Sequence, residues 1–104
     1  MDTYLKLKHK NIVKYLGGEM LPDNVFCIYL EYLKNGSVAD MYKDAKGPLG
    51  EALCRNYTVQ VLDAIGYLHD NDIVHGDIKG SNVLLDTDGS TVKLCDLGNS
   101  RMLE

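Results

Sequence analysis

Apolar and polar positions alternate in several distinct ways along this chain. Asp2–Lys8 mixes apolar and charged residues, which fits the last turns of a helix. Asn11–Leu16 (NIVKYL) is rich in β-branched and aromatic side chains and is followed by Gly17 and Gly18, which predicts a short strand. Leu21–Asn24 (LPDN) reads as a turn, because proline fixes φ while Asp and Asn bond their own backbone. Val25–Leu33 (VFCIYLEYL) is almost continuously apolar, and a run of that length suits a buried strand better than a helix. The two strands and the turn between them make a hairpin.

Lys34–Gly36 ends the second strand, and Ser37 follows with Asp40 three residues later. This spacing resembles a capping box and predicts a helix from Val38 to about Lys43. Lys46–Gly50 (KGPLG) is another break. Glu51–His69 carries the longest helical pattern, with Leu53, Tyr57, Val61, Ala64 and Leu68 on one stripe. Cys54, Leu62 and Ile65 widen the stripe, so this helix is expected to be buried on more than one side. Asp70–Asp72 ends it. Val83–Leu85 and Val92–Cys95 then read as short strands joined by Asp86–Thr91, with a turn signal at Asp88-Gly89. Asn99–Glu104 shows no pattern of its own.

The chain has 104 residues, enough for one small domain. Its 11 Lys and Arg against 15 Asp and Glu give a net charge of −4. That balance speaks against a sequence-independent grip on nucleic acid or an anionic membrane, so neither is expected as a partner. No apolar run approaches the roughly 20 residues that span a bilayer. The N-terminal residues lack the apolar stretch of a secretory signal. Cys27, Cys54 and Cys95 are an odd set without paired spacing, which points to reduced thiols and a cytoplasmic or nuclear setting.

The chemistry concentrates between His75 and Gly98. His75-Gly76-Asp77-Ile78-Lys79-Gly80-Ser81-Asn82 is followed, fourteen residues after Asn82, by Asp96-Leu97-Gly98. Asp77, Asn82 and Asp96 offer oxygen donors in or beside loops, which suit a hard cation such as Mg²⁺. Lys79 adds a positive charge that can steady a phosphoryl group. Such a set fits phosphoryl transfer, which needs positioning and charge neutralisation more than covalent help. Taken singly, Asp77 and Asp96 read as turn or capping carboxylates, His75 as a core histidine, and Cys95 as a strand residue. Asp86–Gly89 (DTDG) lacks the later ligands of a calcium loop and reads as a hairpin turn.

Together the two segments resemble the catalytic loop (H-R-D-x-K-x-x-N) and the metal-binding D-F-G of eukaryotic protein kinases. The resemblance covers essentially the whole chain. Leu7–Leu16 resembles the end of the small-lobe helix and the strand after it, and Ile28–Ser37 resembles the last small-lobe strand, the hinge and the start of the next helix. Tyr57–Asn82 resembles the long large-lobe helix running into the catalytic loop. The DIKGSN form and the NGSV hinge exit look most like the MEKK-type kinases at the top of mitogen-activated kinase cascades.

The implied fold class is α+β, a partial protein-kinase-like fold. Residues 1–33 would be the end of the N-lobe and the start of the hinge. Residues 34–104 would be the rest of the hinge and the first half of the helical C-lobe, up to the start of the activation segment. The implied function is transfer of the ATP γ-phosphate to a Ser or Thr hydroxyl of a protein substrate, a downstream kinase, with ATP and Mg²⁺ as cofactors. Asp77 would accept or orient the hydroxyl proton, and Lys79 would contact the γ-phosphate. Asn82 and Asp96 would hold Mg²⁺. Glu31 would present its backbone C=O, and Leu33 its N–H and C=O, to the adenine edge, with Leu30 as gatekeeper behind it. Leu84 would floor the adenine site with Val38 packed beneath. His75, Leu97, Tyr15 and Tyr4 would stack in the spine linking the lobes.

The chain departs from that family in three respects. It contains no Gly-rich loop, no strand lysine and no paired glutamate, which by alignment falls immediately before Met1, and it stops short of the A-P-E region. The 104 residues alone are therefore expected to be inactive, and a hairpin and helix without their neighbours are expected to aggregate. Gly76 stands where the family carries the arginine that pairs with an activation-loop phosphate, so that contact is not expected here. Leu97 replaces Phe but keeps an apolar bulk. The alternative function is a pseudokinase or scaffold module that binds and does not catalyse.

Overall fold

Ser37 starts the helical half of the molecule as its spacing predicts. In the computed structural model, which describes residues 5–45, 47–97 and 100–102, its hydroxyl accepts the Asp40 N–H at 3.2 Å. The Asp40 carboxylate accepts the Ser37 N–H at 2.9 Å. Two orphan donors of the first turn are thereby satisfied. The helix that follows, α1, spans Val38–Asp44. The long helix α2 spans Glu51–Asp70.

The described residues form three antiparallel strand pairs besides these helices. β1 (Tyr15–Leu21) pairs with β2 (Val25–Leu30). Between them Pro22–Asn24 makes one tight turn, with Asp23 and Asn24 at φ 65 and 60°. The short β3 (Ile73–Val74) pairs with β6 (Arg101–Met102). β4 (Val83–Leu85) pairs with β5 (Val92–Leu94) as a hairpin. Its turn is held by the Asp88 carboxylate, which accepts N–H groups from Ser90 at 3.0 Å and Thr91 at 2.9 Å. The architecture is the α+β arrangement expected of the sequence.

The first strand corrects the sequence reading. It was expected over Asn11–Leu16 and ended by two glycines, but it runs Tyr15–Leu21 straight through them. Gly17, at φ 155°, takes up an irregularity in register between Tyr15 and Gly17, so the glycines bend the strand without ending it. The residues before it are extended but pair elsewhere. Val13 N–H donates to the Leu94 carbonyl at 2.9 Å, and Leu94 N–H donates to that of Asn11 at 2.7 Å. Asn11 and Val13 are thereby stitched to β5 and buried.

β2 is shorter than expected and is not buried. It stops at Leu30, and Phe26, Ile28, Tyr29 and Leu30 are all 40% or more exposed. Tyr15 at the base of the hairpin joins the core, but the apolar side chains of β2 stay largely exposed. α2 likewise buries one stripe only: Tyr57, Ala64 and Leu68 are buried, whereas Val59 and Leu62 are more than half exposed. The β3–β6 pair was not legible in the sequence, because two-residue strands carry no periodicity.

The core sits between α2 and the β4–β5 hairpin. Tyr57, Ala64 and Leu68 meet Ile73, Val83, Leu85, Val92, Leu94 and Leu97, with Leu7, Ile12 and Tyr15 closing the other side. Full burial of a Leu or Ile such as Leu68 or Ile73 contributes about 1.5–3 kcal/mol. Two polar side chains also cross this core. Asn11 donates to Val92 O and to the Gln60 amide oxygen, both at 2.9 Å. The same Gln60 oxygen accepts the Val92 N–H at 2.9 Å. The radius of gyration, 14.7 Å, exceeds the ~13 Å of a compact chain of this length, as expected of a molecule whose β1–β2 hairpin is largely exposed beyond Tyr15.

Candidate active site

His75 organises the loop between α2 and β4. It is buried, its Nδ1 accepts the Asp77 N–H at 3.0 Å, and its Nε2 lies 2.8 Å from the Cys95 carbonyl. Nδ1 accepts, so it carries no proton; Nε2 therefore carries one and donates it to Cys95 O. One imidazole thus ties the loop bearing Asp77 to the segment bearing Asp96. Gly76 lies between them at φ 86°, a left-handed conformation that glycine adopts without steric penalty.

Asp77, Lys79 and Asn82 converge in this loop. The Asn82 amide nitrogen donates to the Asp77 carbonyl at 2.9 Å and reaches its Oδ2 at 3.3 Å. Lys79 Nζ is 3.6 Å from the same carboxylate and remains half exposed. Gly80–Asn82 form a 3₁₀ turn in which Asn82 N–H donates to Lys79 O at 3.0 Å. Asn82 O in turn accepts the Cys95 N–H at 2.9 Å. Asp96 follows Cys95 in a left-handed conformation at φ 61° and is exposed to solvent. Leu97, which comes next, is buried and donates its N–H to the Tyr15 hydroxyl at 3.2 Å. Tyr4 and Gly98 lie outside the described residues.

The expected hinge residues lie at the end of β2 and just beyond it. Leu30 ends β2, and Leu33 is half-buried in the unpaired segment beyond it. Glu31 is fixed from several directions. Its N–H donates to Lys14 O at 3.0 Å, and its carboxylate accepts the Lys14 N–H at 2.9 Å. Lys93 Nζ approaches both carboxylate oxygens, at 3.0 and 3.2 Å. Beyond this segment, Ser37 bridges to Leu84, and Leu85 N–H donates to Gly36 O at 2.8 Å. Val38 packs against the core beside β4. Leu84 and Val38 thus stand together, as do Asp77, Lys79 and Asn82.

The donor set fits Mg²⁺. The Asn82 amide nitrogen is engaged by Asp77, and no described group donates to its oxygen, which leaves that oxygen for a cation. Among the described residues no cluster of three His, Cys, Asp or Glu side chains could hold a metal. Mg²⁺ takes one or two protein ligands and fills its shell with water and phosphate, and Asn82 and Asp96 would be those ligands. Cys95 is half-buried, and burial, with the neighbouring Asp96 charge, pushes its thiol above the usual cysteine range. A raised thiol value fits an unreactive cysteine, and Cys95 lies one residue past β5, which was expected to include it.

Sequence reasoning missed Asn11, Gln60, Lys93 and the side chain of Glu31. Asn11 falls in the run expected to be a strand, and Gln60 lies outside the apolar stripe of α2. A buried amide bridge joins residues 49 apart in sequence, and no local pattern announces it.

The protein kinase domain family matches residues 1–104. The chain belongs to the protein kinase family. Among curated proteins it is 44% identical to mitogen-activated protein kinase kinase kinase 5 of Arabidopsis thaliana over 93% of this chain and 13% of that protein. It is 43% identical to mitogen-activated protein kinase kinase kinase 6 of Homo sapiens, over 94% of this chain and 8% of that protein. MAP3K epsilon protein kinase 1 of Arabidopsis thaliana is 46% identical over 94% of this chain and 7% of its own length. The chain therefore resembles this class of kinases and spans about a tenth of their length.

Proposed function

We propose that the full-length protein carrying this chain is a Ser/Thr kinase that phosphorylates a downstream kinase in a mitogen-activated kinase cascade. The observation that carries this reading is the convergence of Asp77, Lys79 and Asn82 in one loop, tied through His75 to the segment of Asp96. In the proposed reaction the substrate hydroxyl oxygen bonds to the γ-phosphorus as the bond to the β-phosphate oxygen breaks. ADP leaves and the hydroxyl proton passes to Asp77. Lys79 balances charge on the transferred group. Asn82 and Asp96 would hold Mg²⁺, which when bound neutralises phosphate charge. Glu31 and Leu33 would offer backbone groups to the adenine edge, with Leu30 behind them and Leu84 and Val38 beneath the ring.

The 104 residues alone contain no Gly-rich phosphate loop and no small-lobe lysine. As an isolated polypeptide they are proposed to be inactive.

The test incubates the native full-length protein with MgATP and a catalytically inactive downstream kinase. Phosphate on Ser or Thr is the expected result. Phosphate on Tyr contradicts the residue specificity. Binding of the downstream kinase without transfer contradicts the enzyme reading and favours a scaffold.

A further inference from the structure

Beside the hinge lies a cavity of about 380 Å³ whose lining includes Lys8, Lys14, Lys93, Glu31, Leu7 and Ile12. Leu7 and Ile12 belong to the core and supply an apolar wall. Three lysines belong to the lining, and against them stand Asp86, 4.0 Å from Lys93 Nζ, and the Glu31 carboxylate. That carboxylate is already engaged, by Lys93 at 3.0 and 3.2 Å and by the Lys14 N–H at 2.9 Å. Lys8 and Lys14 have no carboxylate partner among the described residues. His9, also in the lining, is held in place: its Nδ1 accepts the Asn11 N–H at 3.0 Å and its ring lies against Tyr67.

The local charge is therefore positive in a chain whose net charge is −4. A concave site with one sign of charge and low-dielectric walls focuses its field on an oppositely charged partner. We propose that this cavity docks an acidic peptide segment carrying one apolar side chain. Its carboxylates meet Lys8 and Lys14, and its apolar side chain rests on Leu7 and Ile12. Two uncompensated lysines are too few for a grip on nucleic acid, which needs many phosphate contacts. The apolar wall gives an inorganic anion nothing to bind.

The test measures fluorescence anisotropy of a short labelled peptide, Glu and Asp residues around a single Leu, with the native full-length protein. Binding is expected at low ionic strength, weakening as salt rises. The double variant Lys8→Glu with Lys14→Glu is expected to weaken it by about tenfold or more. Lys10→Glu, an exposed lysine outside the cavity lining, is expected to leave it nearly unchanged. A peptide with Ser in place of Leu is expected to bind more weakly. If the double variant does not fold, Lys14→Gln serves, with the same direction of change. Absence of binding overturns the proposal, and so does equal weakening by Lys10→Glu. Displacement by inorganic phosphate at the concentration of unlabelled peptide overturns the peptide assignment. The readout is binding, so it does not depend on phosphate transfer.

Discussion

The His75 Nε2–H donates to the Cys95 carbonyl at 2.8 Å, which places the residue before Asp96 against the residue two before Asp77. The same ring accepts the Asp77 N–H. Replacing His75 with Leu leaves the Cys95 carbonyl and the Asp77 N–H without their partner, and each costs about 1–3 kcal/mol. The expected outcome is a lower melting temperature of the native protein and a loss of phosphate transfer larger than the loss of stability explains. Unchanged transfer in a folded His75→Leu protein would contradict the link.

Gly76 tests a backbone argument. At φ 86° a side chain is strained by roughly 1–2 kcal/mol, so Gly76→Ala is expected to lower the melting temperature by a few degrees. Gly76→Arg carries the same penalty and also restores the family's phosphate-binding side chain. We expect its activity to become dependent on activation-loop phosphorylation, measured before and after phosphatase treatment. No change in that dependence would contradict the reading of Gly76.

Asn11 tests the buried amide bridge. Asn11→Ala removes the side-chain donor to the Val92 carbonyl and one of the two donors to the Gln60 oxygen, which keeps the Val92 N–H; the lost partner of the carbonyl costs about 1–3 kcal/mol. Denaturant titration of the native protein should show a lower midpoint with an unchanged slope. An unchanged midpoint would mean that water replaces the amide at no cost.

The pH dependence has two arms. Backbone N–H groups from Ser37 hold the Asp40 carboxyl below the usual range, and those of Thr91 and then Ser90 do the same for Asp88. A folded value below the unfolded one stabilises above the unfolded value, about 3.9, and that contribution is lost as pH falls through the folded value. Both carboxylates are solvent-exposed, so the effect is small, and Asp88→Asn should flatten the acid arm of the melting curve. Tyr57 has the opposite sign. Burial, with the Asp88 charge, pushes its phenol up, and it donates to Gly89 O at 2.7 Å. Its contribution is present below about pH 10 and is lost as pH rises through the raised folded value. Tyr57→Phe should remove that alkaline component. Unchanged arms in both variants would contradict these assignments.

Where the sequence carried strong local signals, it located the elements closely. The capping spacing of Ser37 and Asp40 set the start of α1, and the apolar stripe from Leu53 to Leu68 set α2. The run from His75 to Asn82 was expected to be a loop before two short strands, and it is a loop that leads into the β4–β5 hairpin. What failed was burial and register. Gly17 and Gly18 read as a stop, but the backbone pairing of the hairpin carries β1 through them. The apolar run of β2 read as buried, yet burial depends on a neighbouring layer that no local pattern specifies. The Glu31–Lys93 pair joins residues 62 apart in sequence, a distance at which charge pattern is silent.

The most direct test of the account compares Asp77→Asn with the wild-type full-length protein, measuring phosphate transfer and nucleotide affinity in parallel. Loss of the proton acceptor should lower the transfer rate by about 10²–10⁴-fold while MgATP still binds with similar affinity. Retention of wild-type transfer in the variant would contradict the central claim that Asp77 serves the reacting hydroxyl.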